Sequence, residues 1–277
     1  MFSKIAHLSP LFSTEELSNL DQPVPLAQCI VPRKDDSSSN KYNANQSKYI
    51  ELSFEVCENL KEQLKETPPS FADVLTTVGK GRRKIAKHFD SFQCQLFGVQ
   101  REGVYDRLST SLVEEYAEMG KDIDQISEDD STMHWESYEE GGIKEGFRKG
   151  IDFEGEEIFL TRYILYHNER TIAHTYPNNL EAAKEHCTHL YNEILRLEAP
   201  SHGKEIHRLI GELHWWMSQA TFYKRGSAAC SEIIVGALLL QKWGNLTPYK
   251  IGIFADRMAL TTSCEQFVQI YSSLREN

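Results

Sequence analysis

Apolar residues recur at helical spacing along most of the chain. Leucine and valine positions repeat every four residues from Tyr49 to Glu66, which predicts a helix that ends before Pro68. Ser70 is a typical N-cap and predicts that a second helix follows, covering roughly Phe71 to Phe89. A further apolar stripe predicts a third helix from Arg101 to Met119.

The helical pattern is strongest in the last hundred residues. Apolar positions spaced by three or four predict one helix from Asn178 to Leu197 and another from Ser201 to Ala220. The segment from Ala228 to Trp243 is apolar almost all round, so we expect this helix to lie in the centre of the core. Two shorter helices are predicted around residues 254–260 and 264–274.

Three segments depart from this pattern. Residues 158–173 are rich in β-branched and aromatic side chains and predict a β-hairpin, with a helix as the competing interpretation. Residues 121–157 are acidic and glycine-rich, which favours a loop-rich insertion or flap over a divalent metal site. Residues 1–48 are polar and contain four prolines, as is typical of a flexible leader. We therefore predict a mainly α-helical domain over residues 49–277, of α+β type with a small β-hairpin or flap.

Composition narrows the class of protein. The chain has 277 residues, 40% of them hydrophobic, and a formal net charge of −11, which argues against nucleic acid or an anionic membrane as a general partner. The longest apolar run, Ile233 to Leu240, is too short to span a bilayer, and no secretory signal is apparent. The six cysteines are scattered, which indicates reduced thiols, and no metal is predicted because the spaced pair His186 and His189 lacks a third ligand.

One turn combines residues suited to binding an anion. Arg225 and Gly226 precede Ser227, where small apolar residues open the central helix. Unpaired backbone N–H groups and the helix dipole favour negative charge at such a place, and a guanidinium beside them adds planar donors. The alternative is that Arg225 pairs with a carboxylate and Ser227 only caps the helix.

Other side chains have competing structural and chemical interpretations. His174 is suited to accept a proton from a hydroxyl nucleophile, but an isolated histidine is more often a cap or surface residue. Glu232 lies inside an apolar helix and needs a partner, for which Arg225 or Lys224 is the expected choice. His214, Trp215 and Trp216 are expected to pack in the core. The run from Gly79 to Arg83 is interpreted as an exposed basic helical turn rather than a nucleotide loop.

The segment from Leu209 to Leu274 resembles the AvrB-like family of effector proteins, which pathogenic bacteria inject into plant cells and whose fold is related to the Fic and Doc (Fido) domains. The residues that carry the resemblance are His214-Trp215-Trp216, Arg225-Gly226-Ser227-Ala228-Ala229, Glu232 and Asp256. Upstream, His174-Thr175 and Tyr191 fall at the spacing of the family. The resemblance covers about the last hundred residues, and the Fic loop motif is absent from this sequence.

The resemblance implies a nucleotide pocket and a transferase that modifies Ser or Thr of a host protein. The favoured donor is a nucleotide-diphosphate sugar, whose diphosphate would contact Arg225, Gly226, Ser227 and Thr175. His174 and Asp256 would be the catalytic residues, with Glu232, His214 and Trp215 as structural support. The alternatives are a Fic-type nucleotidyltransferase and a catalytically inert module that binds a nucleotide or a host protein. The resemblance also implies synthesis in the bacterial cytoplasm and export into the host cell without a Sec signal.

Overall fold

A computed structural model of the protein describes residues 29, 31, 40–102, 108–112, 117–126, 128, 130–138, 143–167, 169–250 and 252–275, with the backbone alone at 40–46 and 117–118. Within these ranges the chain forms eight α-helices and one five-stranded antiparallel sheet. The predicted class, mainly α with a smaller β component, is confirmed. None of the described helices is long and apolar enough to cross a membrane.

Two N-terminal helices match the predicted pattern. Helix α1 spans Asn40–Glu66 and helix α2 spans Phe71–His88, and the Ser70 side chain accepts a hydrogen bond from Asp73 N at 3.2 Å. Helix α1 starts earlier than predicted and extends into the segment expected to be a flexible leader. The structure also corrects that expectation at Cys29, which is fully buried and whose carbonyl accepts a hydrogen bond from Arg275. Most of the leader lies outside the described residues.

The predicted third helix, Arg101 to Met119, is wrong in its centre. Strand β1 occupies Ser109–Ser111, and the next helix, α3, spans Ala117–Asp124. Strand β1 pairs with a strand about sixty residues further along the chain, so a long-range contact overrides the local apolar spacing.

The sheet contains four more strands and has the order β1-β5-β4-β3-β2. Their bounds are β2 Met133–Tyr138, β3 Ile143–Ile151, β4 Glu157–Tyr166 and β5 Glu169–Ala173. The hairpin predicted over residues 158–173 is confirmed as β4 and β5. The loop-rich insertion predicted over residues 121–157 is wrong, because β2 and β3 lie within it and alternate residues of β3 are buried.

Five helices complete the chain. They are α4 Pro177–Arg196, α5 Ala199–Ala220, α6 Ser227–Trp243, α7 Ala255–Thr261 and α8 Cys264–Tyr271. Residues 230–240 of α6 are all buried, which confirms its central place in the core. The sheet packs on these helices: a side chain on Gly150 of β3 would collide with the Trp216 ring, and Tyr163 of β4 donates to the carbonyl of Leu260.

Candidate functional site

The turn between α5 and α6 is held by a short extended segment of the chain. Gly98 N donates to Arg225 O at 3.0 Å, and Lys224 N donates to Val99 O at 2.8 Å. Gly226 is the N-cap of α6 and has φ of 82°, a left-handed conformation that glycine adopts without strain. The first N–H groups of α6 are therefore presented at the end of a fixed turn.

Within the described part of the chain, Arg225 lies beside this helix end without a carboxylate partner. Its Nη1 donates to Phe92 O at 3.2 Å and to Gln93 Oε1 at 3.0 Å, and its guanidinium lies 5.3 Å from the centre of the Phe97 ring. None of the ion pairs among the described residues includes Arg225. The arrangement fits the anion-binding interpretation of Arg225 better than the ion-pair interpretation.

Arg82 is a second cation at the same place. Its guanidinium lies 4.5 Å from the centre of the Phe97 ring, and its buried Nε has no hydrogen-bond partner among the residues that the structure describes. A Cβ added to Gly226 would lie 3.2 Å from this Nε, so Arg82 reaches the N-cap of α6. Two guanidinium groups thus surround one phenyl ring at the positive end of a helix.

The basic run from Gly79 to Arg83 is therefore not the exposed turn that the sequence suggests. Arg82 and Arg83 are partly buried, and Arg83 donates to the carbonyls of Phe97 and Gly98 at 3.1 and 3.3 Å. Gly79 approaches Gly98 so closely that an added Cβ would lie 2.5 Å from its carbonyl oxygen. This run positions the segment that carries Phe97.

Ser227 does not cap α6. Its hydroxyl accepts from Tyr223 N and donates to Tyr223 O, both at 3.1 Å, so it closes the turn. We infer that an anion at this site would be bound by backbone N–H groups and guanidinium groups rather than by the Ser227 hydroxyl.

His174 bridges two threonines. Its Nε2 lies 3.1 Å from Thr110 Oγ1 and its Nδ1 lies 3.0 Å from Thr221 Oγ1. Thr221 donates its own proton to Ser218 O, so His174 Nδ1 must be the donor to Thr221 and Nε2 the acceptor from Thr110. Burial, and then the nearby Arg101 guanidinium, lowers the pKa of His174 to about 4, so the ring is neutral near pH 7.

Thr175 faces the core instead of the site. Its hydroxyl donates to Gln219 O at 3.0 Å, and its carbonyl accepts from Arg101 Nη2 at 2.6 Å. The side chain is fully buried, so the direct nucleotide contact expected for Thr175 is replaced by a structural role. It fixes the C-terminal turn of α5 against the segment that follows β5 and carries His174.

Asp256 lies in the first turn of α7, and α7 packs against the C-terminal turn of α5. Gln219 Nε2 donates to Ala259 O at 2.7 Å, one turn beyond Asp256. The C-terminal end of α5 is thus the common support of three predicted site residues: Thr221 binds His174, Arg225 follows four residues later, and α7 carries Asp256.

The predicted support residues form a separate buried cluster. Tyr249 donates to Glu232 Oε2 at 2.7 Å, and His214 Nε2 lies 3.7 Å from Glu232 Oε1. The prediction that Arg225 or Lys224 pairs with Glu232 is wrong. Arg225 and Lys224 lie at the surface end of α6, whereas Glu232 lies within the core. Burial raises the pKa of Glu232 to about 8 and lowers that of His214 to about 3. Trp215 is fully buried and donates to Thr262 O, as expected of a packing residue.

Among the residues of these two regions that sequence reasoning missed are four polar ones: Arg82, Arg101, Thr110 and Arg275. Arg275 is buried, donates to the carbonyls of Cys29 and Thr247, and lies 3.8 Å from the centre of the Tyr249 ring. Of the four, only Arg82 had a local signal, the basic run that contains it. The others are ordinary polar residues whose partners lie far away in sequence.

In the described part of the chain, no three His, Cys, Asp or Glu side chains are placed to hold a metal ion. The expectation that the protein uses no metal stays a prediction.

Comparison with known proteins agrees with the resemblance over the C-terminal part of the chain. Residues 156–277 match the model of the AvrB and AvrC family, described as avirulence proteins. Avirulence protein B of Pseudomonas savastanoi pv. glycinea is 30% identical over 118 residues, which are 43% of this chain and 36% of that protein. The chain therefore spans about a third of that relative's length. These matches support the coarser expectation, a bacterial effector. Over residues 156–277, which include the turn at Arg225 and the strand that ends before His174, the chain is similar to the avirulence proteins.

Proposed function

We propose that the protein is a bacterial effector transferase that modifies Ser or Thr of a host protein and takes the transferred group from a nucleotide-diphosphate sugar. The observation that carries this proposal is the pair Arg82 and Arg225 around Phe97 at the N-terminus of α6. Neither guanidinium has a carboxylate partner within the described residues, so both retain capacity for an anionic ligand.

The chemistry of glycosyl transfer matches this arrangement. The acceptor oxygen forms a bond to the anomeric carbon, the bond from that carbon to the diphosphate oxygen breaks, and the hydroxyl proton moves to a base. Negative charge develops on the departing diphosphate, where two guanidinium groups and the end of a helix dipole stabilise it.

The contacts of His174 argue against His174 as the base and leave Asp256 by elimination. Both ring nitrogens of His174 bind protein hydroxyls, and its pKa of about 4 makes it a weak base. We therefore assign proton acceptance to Asp256 and assign His174 to the positioning of Thr110 and Thr221. The nucleotide or nucleotide sugar is the co-substrate, and the host protein is the acceptor.

An inert binding module is the alternative that one observation favours. The hydrogen bonds of His174 are complete without a substrate, as expected of a structural histidine. In that case the site would bind a nucleotide or a host protein and transfer nothing.

Thermal unfolding with a panel of nucleoside diphosphates, nucleotide sugars and ATP, each with and without Mg²⁺, tests the proposal. A ligand at 100 times its Kd stabilises the folded state by about 2.7 kcal/mol, which gives a measurable rise in Tm. We expect nucleotide sugars to raise the Tm of the wild type and to have little effect on Arg225→Ala. Arg196→Ala, which removes a 73% exposed arginine from α4, is the matched control and should respond as the wild type does.

Three results would redirect the assignment. Stabilisation by ATP alone, dependent on Mg²⁺, would favour a Fic-type nucleotidyltransferase. Stabilisation by nucleotide sugars without a mass increment on any protein of a treated host lysate would favour the inert module. A panel without any effect on Tm would overturn the nucleotide site itself.

A further inference from the structure

A pocket beside α5 is lined by charged and aromatic side chains that the proposed transferase site does not use. It has a volume of about 570 Å³ and is formed by α4, α5 and the tip of the β3–β4 hairpin. Eight residues of α5 separate its residue Glu212 from Ala220, about 12 Å at the rise of a helix, so the pocket is distinct from the turn at Arg225. Its polar lining consists of Asp152, His186, His189, Glu193, Glu205, Arg208 and Glu212.

Phe153, at the hairpin tip, forms an aromatic wall of this pocket. The ring is 45% exposed, although it stacks on His189 at 4.8 Å and 10° and lies 6.2 Å from His186 at 18°. A large aromatic side chain held parallel to two imidazoles and open to solvent offers a flat surface to a planar group.

His186 is buried in the pocket with one ring nitrogen unsatisfied. It is only 3% exposed, and within the described residues its Nδ1 has no hydrogen-bond partner. The Trp216 ring covers one side at 4.2 Å, and Glu212 Oε1 lies 3.5 Å from Nε2, at ion-pair distance. A buried ring nitrogen without a partner costs free energy, and a ligand that donates to it would recover that cost.

The charge of the pocket favours a positively charged ligand. Four carboxylates line it against one arginine, Arg208, which pairs with Glu205 at 2.8 Å and Glu212 at 2.6 Å. Burial acts to raise the pKa of Glu212, but His186 and Arg208 outweigh it, so the pKa stays below its ordinary value and the group is a carboxylate.

We infer that this pocket binds the guanidinium group of an arginine side chain from a partner protein. The planar cation fits the flat face of Phe153, its N–H groups match the Glu212 carboxylate, and one of them can donate to His186. A metal ion fits less well, since three ligands do not converge in the described part of the chain. The inference is independent of the proposed transferase activity, because it uses none of the residues of that site.

Titration of the full chain with N-acetyl-arginine amide, followed by NMR of the histidine imidazoles, tests this inference. We expect saturable shifts of the His186 and His189 signals, and none with N-acetyl-norleucine amide, which lacks the charge. N-acetyl-lysine amide should bind several-fold more weakly, because an ammonium group cannot stack as a plane. An arginine-containing peptide that binds more tightly than the amide would identify a protein partner, whereas equal binding by free agmatine and the peptide would indicate a small-molecule ligand.

Two variants locate the binding. Glu212→Gln should weaken the affinity for the arginine probe at least tenfold, and Phe153→Ala should weaken it about two- to fivefold, as expected for loss of a cation–π contact near the surface. Phe153 is largely exposed, so this variant should fold normally even if Glu212→Gln does not. Glu265→Gln, on the exposed side of α8, is the matched control and should bind as the wild type does.

Two outcomes would overturn the inference. One is equal binding of the arginine and norleucine probes. The other is a preference for Zn²⁺ with shifts of the same imidazole signals and no response to arginine.

Discussion

Charged residues lie along helix α6 in two contrasting settings. In its interior, Glu232 is sealed in the core with Tyr249, His214 and the buried Arg275 nearby. At its start, Arg225 and Arg82 lie around Phe97 without any carboxylate among the described residues. We call the first region the sealed cluster and the second the open turn.

The contrast shows how solvent access decides the use of a charge. A charge buried in the sealed cluster is costly unless it is paired or neutralised, so its neighbours must supply hydrogen bonds and opposite charge. A cation at the open turn is partly hydrated and can remain without a counter-charge until an anion arrives. We therefore expect the sealed cluster to determine stability and the open turn to determine binding.

The largest expected effect is on stability, in the sealed cluster. Arg275→Ala removes the donor to the carbonyls of Cys29 and Thr247 and the cation near Glu232, so the unfolding free energy should fall by about 3–5 kcal/mol. Chemical denaturation measures this loss, and Arg196→Ala at the surface should change the value little. A loss below about 1 kcal/mol would mean that the sealed cluster does not depend on this charge.

The second largest effect on stability is expected from removal of the Thr221 hydroxyl, which connects His174 to α5. Thr221→Val keeps the shape of the side chain but leaves His174 Nδ1–H without its acceptor, which should cost about 1–3 kcal/mol. The wild-type protein should show His174 as the Nδ1–H tautomer by ¹⁵N NMR, and the variant should lose that preference. Finding the Nε2–H tautomer in the wild type would contradict the assigned direction of the Thr110 hydrogen bond.

A smaller loss of stability is expected at the open turn itself. Gly226→Ala introduces a Cβ at φ of 82°, 3.0 Å from the Phe97 ring and 3.2 Å from Arg82, and should cost about 1–2 kcal/mol. It should also weaken nucleotide binding, because Arg82 must move. Gly203→Ala is the matched control: nothing lies within 4 Å of the added Cβ in α5, so stability should rise by about 0.5–1 kcal/mol.

The smallest effect is expected for Glu232→Gln at about pH 4, where the carboxyl is protonated in the folded protein and largely so in the unfolded chain, and where Gln retains the acceptor for Tyr249. Between about pH 4.5 and pH 8 the two proteins should diverge. The pKa of Glu232 is raised to about 8 in the folded state, so the wild type binds this proton more tightly than the unfolded chain does. Its stability is therefore lost as pH rises towards 8, and the variant should lack this loss.

At acidic pH the dependence of stability on pH has the opposite sign. The pKa values of His174 and His214 are lowered to about 4 and about 3, so both proteins should lose stability as pH falls below about 6.5. Tm values measured from pH 4 to pH 9 test both slopes, with Glu265→Gln as the surface control. A variant that keeps the wild-type loss between about pH 4.5 and pH 8 would show that Glu232 does not titrate in this range.

Elements that depend on local interactions were predicted correctly from the sequence, whereas elements that depend on long-range pairing were missed. Helix α2 was found because Ser70 caps it locally, and α6 because its apolar positions surround the whole helix. Strand β1 was missed because three residues carry little pattern and its partner, β5, is about sixty residues away. The strands β2 and β3 were missed because acidic and glycine residues masked the alternation of buried positions in β3.

The candidate site divides in the same way. The turn at Arg225 was identified because Arg, Gly and Ser lie next to one another before a helix. Arg82 and Thr110 were not, since each reaches the site only through the packing of a separate element. For Glu232, reasoning from neighbours along the chain chose Arg225 or Lys224, whereas the fold supplies Tyr249 and His214.

The sequence by itself determined the helical C-terminal half and the central place of α6, and it marked the first turn of α6 as a candidate anion site, because caps, periodicity and helix dipoles act over a few residues. Only the tertiary structure decided which charges are sealed and which stay open. It placed Arg275 near Glu232, placed Arg82 beside Arg225, turned Thr175 into the core and joined His174 to Thr110. The physical reason is that desolvation and pairing depend on neighbours in space, which no local pattern along the chain encodes.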